Sequence, residues 1–323
     1  MRQLSYLQAS REGLAETMRE NSVVWALGED LGRGGVFGQY IGLQDEFGPK
    51  RIVDTPISES CILGSAVGAA MMGTRPVVEM RFSDFALCAI DELVNQAAKA
   101  RYMFGGQTRV PIVVREPSGI WRSSAAQHSQ SLESWYTHIP GLVVIAPATP
   151  QDNKALLKAS IQCDDPVVYL EHKDLWEVEG PIDDSEKINI GQAKIRKVGK
   201  QITIVSWSAT VRRCIEAAEI LSKKGIDAEI IDLRTLWPWD KKCVFESIKK
   251  TKNVLIVHEA VRVSGFGAEI AASVGEHLFN IIETPPCRLA APRIPISYAP
   301  SLEDQVRITT TKIVSAVMNQ IGK

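Results

Sequence analysis

Short β-branched runs recur along the chain and alternate with longer stretches of helical period. In the first half, residues 23–27, 76–80, 110–115, 142–146 and 167–171 read as strands. Residues 58–72, 86–104 and 151–161 between them place apolar side chains three and four apart, which predicts helices. Apolar runs without strict alternation suit strands covered on both faces, as in a parallel sheet flanked by helices. Residues 177–200 interrupt the rhythm with charge, Gly180-Pro181, Asp183-Asp184 and Gly191. The rhythm then resumes: strands at 202–206, 228–231 and 254–257, helices at 210–223, 240–250 and 266–279. A last helix, 302–320, follows a proline-rich segment. The pattern predicts an α/β chain of two parallel-sheet domains, residues 1–190 and 191–323.

Composition narrows the function more than the fold. The 323 residues are 45% hydrophobic, enough for two cores. Lys+Arg number 37 against 38 Asp+Glu, a net charge of −1 that excludes the footprint of a dedicated nucleic-acid binder. The longest mostly apolar run, residues 62–73, falls short of the roughly 20 residues a membrane helix needs. The first residues lack a signal-peptide apolar region, and Glu12, Glu16 and Glu20 argue against a transit peptide. Six cysteines without a C-x-x-C pair predict free thiols in a reducing compartment. The expected location is the cytoplasm, or the mitochondrial matrix for a processed form.

Several familiar motifs are missing. Gly32-Arg-Gly-Gly-Val-Phe-Gly38 and Gly265-Phe-Gly267 do not match G-x-G-x-x-G, and no G-x-x-x-x-G-K-[ST] occurs, so both glycine loops read as tight turns. There is no H-E-x-x-H and no G-x-S-x-G. Two features remain. Gln127-His128-Ser129-Gln130 is a polar loop after a predicted strand, where open α/β sheets build their sites. Asp54-Thr-Pro-Ile-Ser58-Glu59 turns the chain into a helix rich in small residues, with Ser58 as expected N-cap and Glu59 in the first turn. A glutamate there is ordinarily a partner of the helix dipole. In a buried small-residue interface, however, a carboxyl of raised pKa trades protons with a heterocycle.

These segments form a larger series. Asp54-Thr-Pro-Ile-Ser-Glu59, Gly73-Thr-Arg-Pro-Val-Val-Glu79, Asp84-Phe85, Asn95-Gln-Ala-Ala-Lys-Ala-Arg-Tyr-Met103 and Gln127-His-Ser-Gln130 follow one another. Pro140-Gly-Leu, Asp164-Asp-Pro-Val-Val168, Arg234-Thr-Leu-Trp-Pro238 and Gly265-Phe-Gly-Ala-Glu-Ile270 continue it. Over essentially its whole length the chain closely resembles the beta subunits of thiamine-diphosphate-dependent 2-oxoacid dehydrogenases of the pyruvate, branched-chain and acetoin type. The resemblance implies a transketolase-like pyrimidine-binding domain followed by a transketolase C-terminal-type domain. It implies that Glu59 hydrogen-bonds N1′ of the aminopyrimidine and that Phe85 stacks on that ring. It places His128 at the active-site histidine, suited by its pKa to exchange protons with the reacting acyl group or a lipoyl disulfide. It also implies a potassium site of mainly backbone carbonyls at Ile112, Ser160, Ile161, Cys163 and Asp165.

The chain departs from the family at Cys61, where glycine is usual, and in Gly119-Ile-Trp-Arg-Ser-Ser124, where relatives differ and which bears on the choice of 2-oxoacid. No Gly-Asp-Gly, the family's magnesium-diphosphate motif, occurs. The resemblance therefore implies a cofactor shared with an alpha subunit in an α2β2 heterotetramer, and a lipoyl-bearing acyltransferase as the next partner. The leading expectation is oxidative decarboxylation of a 2-oxoacid, pyruvate first, with acylation of the lipoyl group. An acetoin-cleaving subunit and a non-catalytic docking subunit are the alternatives. A self-contained transketolase is opposed by the length and the missing motif.

Overall fold

Local signals set many of the element ends in this structure, a computed structural model that describes residues 2–322. Ser5 and Gln8 form a reciprocal capping box. It separates strand β1 (Arg2–Ser5) from helix α1 (Tyr6–Glu20). There follow β2 (Val24–Gly28), α2 (Leu43–Phe47), β3 (Ile52–Asp54), α3 (Glu59–Met71), β4 (Arg75–Glu79) and α4 (Ala98–Met103). Next come β5 (Val113–Ser118), α5 (Glu133–Thr137), β6 (Val143–Ile145), α6 (Pro150–Gln162), β7 (Val167–His172) and β8 (Glu179–Ile182). Thr149 caps α6, with Pro150 at the first position where its missing N–H costs nothing.

Contacts divide the chain into two units, one of residues 2–118 and 135–190, the other of 119–134 and 191–322. In the first unit the strands run β6-β7-β5-β4-β2-β3, every neighbouring pair parallel. β1 and β8 form a separate antiparallel ribbon. The strands β5 and β7 are buried at every position, as expected of a sheet covered on both faces. One core gathers Leu14, Met18, Val24, Ile52, Val77, Val113, Leu156 and Tyr169.

The second unit holds β9 (Lys194–Lys197), β10 (Ile202–Ser206), α7 (Thr210–Lys223), β11 (Ala228–Asp232) and the short β12 (Thr235–Trp237). It continues with α8 (Lys241–Thr251), β13 (Val254–Val261), α9 (Gly267–Leu278), β14 (Cys287–Ala291), α10 (Pro300–Val306) and α11 (Thr310–Gln320). Its sheet runs β14-β13-β10-β11-β9, parallel except for β9. The six cysteines are free thiols. Among the described residues no helix is long and apolar enough to cross a membrane.

Two predicted helices are broken. Residues 86–104 form a 3₁₀ turn, Ala86–Ala89, a π-helical segment, Glu92–Ala97, and only then α4. Asp91, at the entry, takes Asn95 Nδ2 at 2.6 Å and Gln96 Nε2 at 3.3 Å, the local side-chain bonding that competes with a regular ladder. Residues 302–320 divide into α10 and α11, because Arg307 is extended and Thr309 caps a new start by accepting Lys312 N. Helix α1 and strands β1, β3, β8, β9 and β14 were not among the predicted elements.

The first unit's sheet holds a fully buried guanidinium. Arg115 on β5 donates from Nε to Glu171 Oε2 at 2.8 Å and from Nη2 to Ser10 Oγ at 3.1 Å. Its Nη1 lies 3.6 Å from Glu79 Oε2. Glu79 also accepts from Tyr40 Oη at 3.0 Å and Gln39 Nε2 at 3.1 Å. Glycine is required at Gly28, where a Cβ would stand 2.7 Å from the Glu79 carbonyl. Burial pushes the Glu79 carboxyl up to about 7, against the pull of Arg115 and with the charge of Glu171 adding.

A carboxyl that holds its proton longer when folded binds more protons in the folded state between those pH values. Its contribution to stability therefore falls as pH rises from 4.5 towards 7. Glu79→Gln removes that contribution. Thermal unfolding at pH 5 and pH 7.5 should show the variant gaining on the wild type at the higher pH. A constant difference across the window would contradict the assignment.

Candidate functional site

In a parallel sheet the strand carboxyl ends point one way, and the loops after them build the site. Asp54 ends β3, and its Oδ1 accepts the Gly32 amide at 2.7 Å. Thr55 N donates to the Gly28 carbonyl at 3.0 Å. These bonds hold the Asp-Thr-Pro turn to the segment after β2, and Pro56 keeps Thr55 out of helical geometry. Ser58 stands at the N-cap position of α3 but makes no side-chain cap; its hydroxyl turns back to the Pro56 carbonyl at 3.4 Å. Glu59, the first helical residue, brings the negative charge that a helix N-terminus favours. It is half-buried, and its carboxylate meets no hydrogen-bond donor among the described residues. A protonated aminopyrimidine N1′ would donate to such an acceptor, so the residue suits the pyrimidine end of the cofactor. Cys61, two positions on, is exposed.

Helix α3 packs on the 3₁₀ turn whose flanking residue is Phe85, which brings the Glu59 and Phe85 segments together. Phe85 is half-buried and meets Phe82 edge-on, ring centres 5.3 Å apart. Phe82 in turn meets Phe37 at 5.7 Å, and Phe37 lies 4.1 Å from Trp176. The Lys173 ammonium caps the Phe82 ring at 4.8 Å. Sequence reasoning found only Phe85 of this aromatic wall. Phe37 lies in the glycine loop read as a tight turn, and Phe82 stands three residues before Phe85 on the same loop.

His128 belongs to residues 119–134, grouped with the second unit. It is half-buried, in a loop that Gly119 N closes on the Gln130 carbonyl at 3.1 Å. Arg122, Ser123 and Ala125, none of them glycine, have φ of 43°, 57° and 63°. Such left-handed backbone persists only where surroundings impose it. In the same unit the glycines of Gly265-Phe-Gly267 serve packing. A Cβ on either would come within 2.8 Å of the His258 ring. That ring stacks on Trp207 at 5.1 Å, and burial holds its pKa down at about 4.

The five residues named for potassium cluster around the carboxyl end of α6. Ser160 and Ile161 lie in its last turn, Cys163 caps it, Asp165 follows, and the Ile112 carbonyl accepts Val167 N at 2.9 Å. Carbonyls at a helix C-terminus favour a cation. Arg75 already supplies one: its Nη1 donates to the Ile161 and Cys163 carbonyls at 2.9 and 2.8 Å, and its Nη2 to Asp164 Oδ1 at 2.7 Å. Each carbonyl keeps one lone pair, so the oxygen donors fit a monovalent ion only beside a guanidinium.

Glu116 on β5 was missed altogether, having no motif around it. It is fully buried, and among the described residues neither carboxylate oxygen has a partner in good hydrogen-bond geometry, though the Tyr136 phenol lies near. Burial pushes its carboxyl well above the usual range; the Tyr136 phenol opposes this and the charge of Asp84 adds to it. Among the described residues, the acidic trio Glu12, Glu16 and Asp184 has metal-ligand spacing. The Lys154 ammonium stands in its midst, 2.5 to 2.7 Å from all three, and does the work of a cation there.

The sequence profile described as transketolase, pyrimidine binding domain matches residues 2–178; that described as transketolase, C-terminal domain matches residues 191–313. The 2-oxoisovalerate dehydrogenase subunit beta of Bacillus subtilis is 40% identical over 319 residues, 97% of each chain. The mitochondrial pyruvate dehydrogenase E1 component subunit beta of Dictyostelium discoideum is 41% identical, covering 98% of this chain and 90% of its own. The acetoin:2,6-dichlorophenolindophenol oxidoreductase subunit beta of Bacillus subtilis is 39% identical over all of this chain and 98% of its own. Among solved structures, a split gene transketolase in an inactive beta4 tetramer superposes with a TM-score of 0.80 at 20% identity. It covers 99% of this chain and 98% of its own, and shows the fold.

Replacing Arg75 strips two carbonyls and Asp164 of their shared cation. Arg75→Gln should lower stability by about 1 kcal/mol, since the site is partly exposed and Asp164 keeps Arg109 as a second partner. Urea denaturation of the full chain reads this directly, and an unchanged midpoint would contradict it.

Proposed function

Because the chain belongs to the family of 2-oxoacid dehydrogenase beta subunits, on full-length relatives and both domain matches, we propose that it forms one half of such an enzyme. Residues 1–190 act as the pyrimidine-binding half and 191–323 as the C-terminal half. The other half is an alpha subunit in an α2β2 assembly, which supplies the magnesium-diphosphate site for which this sequence has no Gly-Asp-Gly. Thiamine diphosphate, when bound, supplies the electron sink that 2-oxoacid decarboxylation requires.

The observation that carries the reading is Glu59: a carboxylate that meets no donor among the described residues, at the start of a helix whose entry turn is tied to two strand ends. Its role is to hold a proton at pyrimidine N1′. Phe85, backed by Phe82, gives the ring a face to stack on. His128 exchanges a proton on the substrate side, and a lipoyl group on an acyltransferase is the acceptor. The leading substrate is pyruvate, with 2-oxoisovalerate and acetoin as the other compounds that the relatives' names support. Potassium, where it binds, shares the Ile161 and Cys163 carbonyls with Arg75 and acts on stability rather than on the reaction.

Co-expression with the alpha subunit allows 2-oxoacid-dependent reduction of an artificial acceptor to be measured. Glu59→Gln should lower kcat by at least about 100-fold, the usual weight of a general acid–base group; retained activity would remove the role given to Glu59. Calorimetry on this chain alone should detect negligible thiamine diphosphate binding, and micromolar affinity without a partner would overturn the shared-site reading.

A further inference from the structure

The loop that carries His128 holds three non-glycine residues in left-handed backbone, and the rest of the second unit grips it at one of them, Ser123, and at Ile120 just before them. Glu303 on α10, 4% exposed, accepts the Ser123 amide on Oε2 at 2.9 Å. Glu259 at the end of β13, 8% exposed, accepts the Ile120 amide on Oε1 at 2.7 Å. Arg307 donates from Nη2 to Glu303 Oε1 at 2.6 Å, and from Nη1 to the Ile120 carbonyl at 3.4 Å. The Ile120 side chain is buried with Ala291 and Val306. Both sides of the Ile120 residue and the Ser123 amide are thus held by side chains far away in sequence. Inside the loop, Ser124 N and Oγ both donate to the Trp121 carbonyl, at 3.0 and 2.6 Å.

From this clamp we infer that Glu303 and Glu259 are positioning residues for the reaction. They impose the left-handed conformation of Arg122, Ser123 and Ala125 and thereby set where His128 stands. The inference rests on the reading of His128 as a proton carrier, but the clamp itself does not. Glu303 is the sharper element, because its oxygen meets the amide of a residue that is itself left-handed, and backbone strain needs an external partner to persist. Carboxylate acceptors for backbone amides are among the stronger hydrogen bonds a loop can be given.

The test has two readouts. Hydrogen exchange of the amides in residues 119–130 is followed in the full chain, and kcat and KM for 2-oxoacid-dependent acceptor reduction in the assembled enzyme. Glu303→Ala should speed exchange at Ser123 and its neighbours about tenfold or more, as expected for one charge-assisted bond. It should lower kcat by a similar factor with little change in KM. Glu303→Gln, which keeps an acceptor oxygen, should recover most of both. Should the alanine variant fail to fold, Glu303→Asp keeps the charge one methylene short of the amide and should show the same rise in exchange. Exchange equal to wild type in folded alanine or aspartate variants overturns the clamp. Faster exchange with kcat unchanged overturns the positioning role. An assembled wild type with no turnover on any of the three compounds defeats the functional reading instead, and the exchange data then judge the clamp alone.

Discussion

A guanidinium with no access to water must be surrounded by its partners, and Arg115 meets that demand by drawing three parallel strands into one register. It sits opposite Glu79 on β4 and two positions from Glu171 on β7, and it donates to a hydroxyl on α1. Removing Glu171, its nearest carboxylate, would leave a buried charge poorly compensated, which costs far more than the pair contributes. The strands so joined are the ones whose ends matter. β4 runs out into Phe82 and Phe85, β7 into Lys173 and Trp176, and β5 into the segment that begins at Gly119. Fixing their register fixes where the aromatic wall stands.

The two units present different kinds of group. The first presents the Glu59 carboxylate and the aromatic faces of Phe82 and Phe85. In the second, the interior imidazole of His258 is kept neutral by burial and serves as a surface for two glycines and Trp207. What that unit adds is purchase on residues 119–134, through carboxylates on β13 and α10. That segment lies between two elements of the first unit in sequence and is grouped with the second in space.

Periodicity was enough to find the buried strands, because a strand covered on both faces reads as an unbroken apolar run: residues 202–206 agree end for end with β10. It failed where side chains compete with the backbone. Asp91, Asn95 and Gln96 look helical by spacing and yet distort the helix, and Thr309 looks like one more residue of a long helix while starting a new one. Helix α1 escaped notice because its buried face mixes Ser10, Gly13 and Thr17 with Tyr6, Leu14 and Met18, which blurs the apolar period. The expectations for Glu59 and His128 come from their motifs, whereas no motif points to Glu116 or Glu303. Nothing local distinguishes a buried glutamate from a solvated one; only the neighbours brought by the fold, Tyr136 and Asp84 or the Ser123 amide, make the difference.

The same reasoning bears on how members of one family come to act on different 2-oxoacids. Residues 119–124 are the place where this chain's loop carries bulk, with the Arg122 guanidinium over the Trp121 ring at 5.0 Å. A stacked pair on a flexible loop would sample many positions and select poorly. Held at Ile120 and Ser123 by buried carboxylates, the pair has a defined place, and a change of loop sequence can alter shape without loosening the frame. Any discrimination by size at residues 119–124 would need side chains that do not yield, and a backbone fixed by carboxylates on β13 and α10 meets that need.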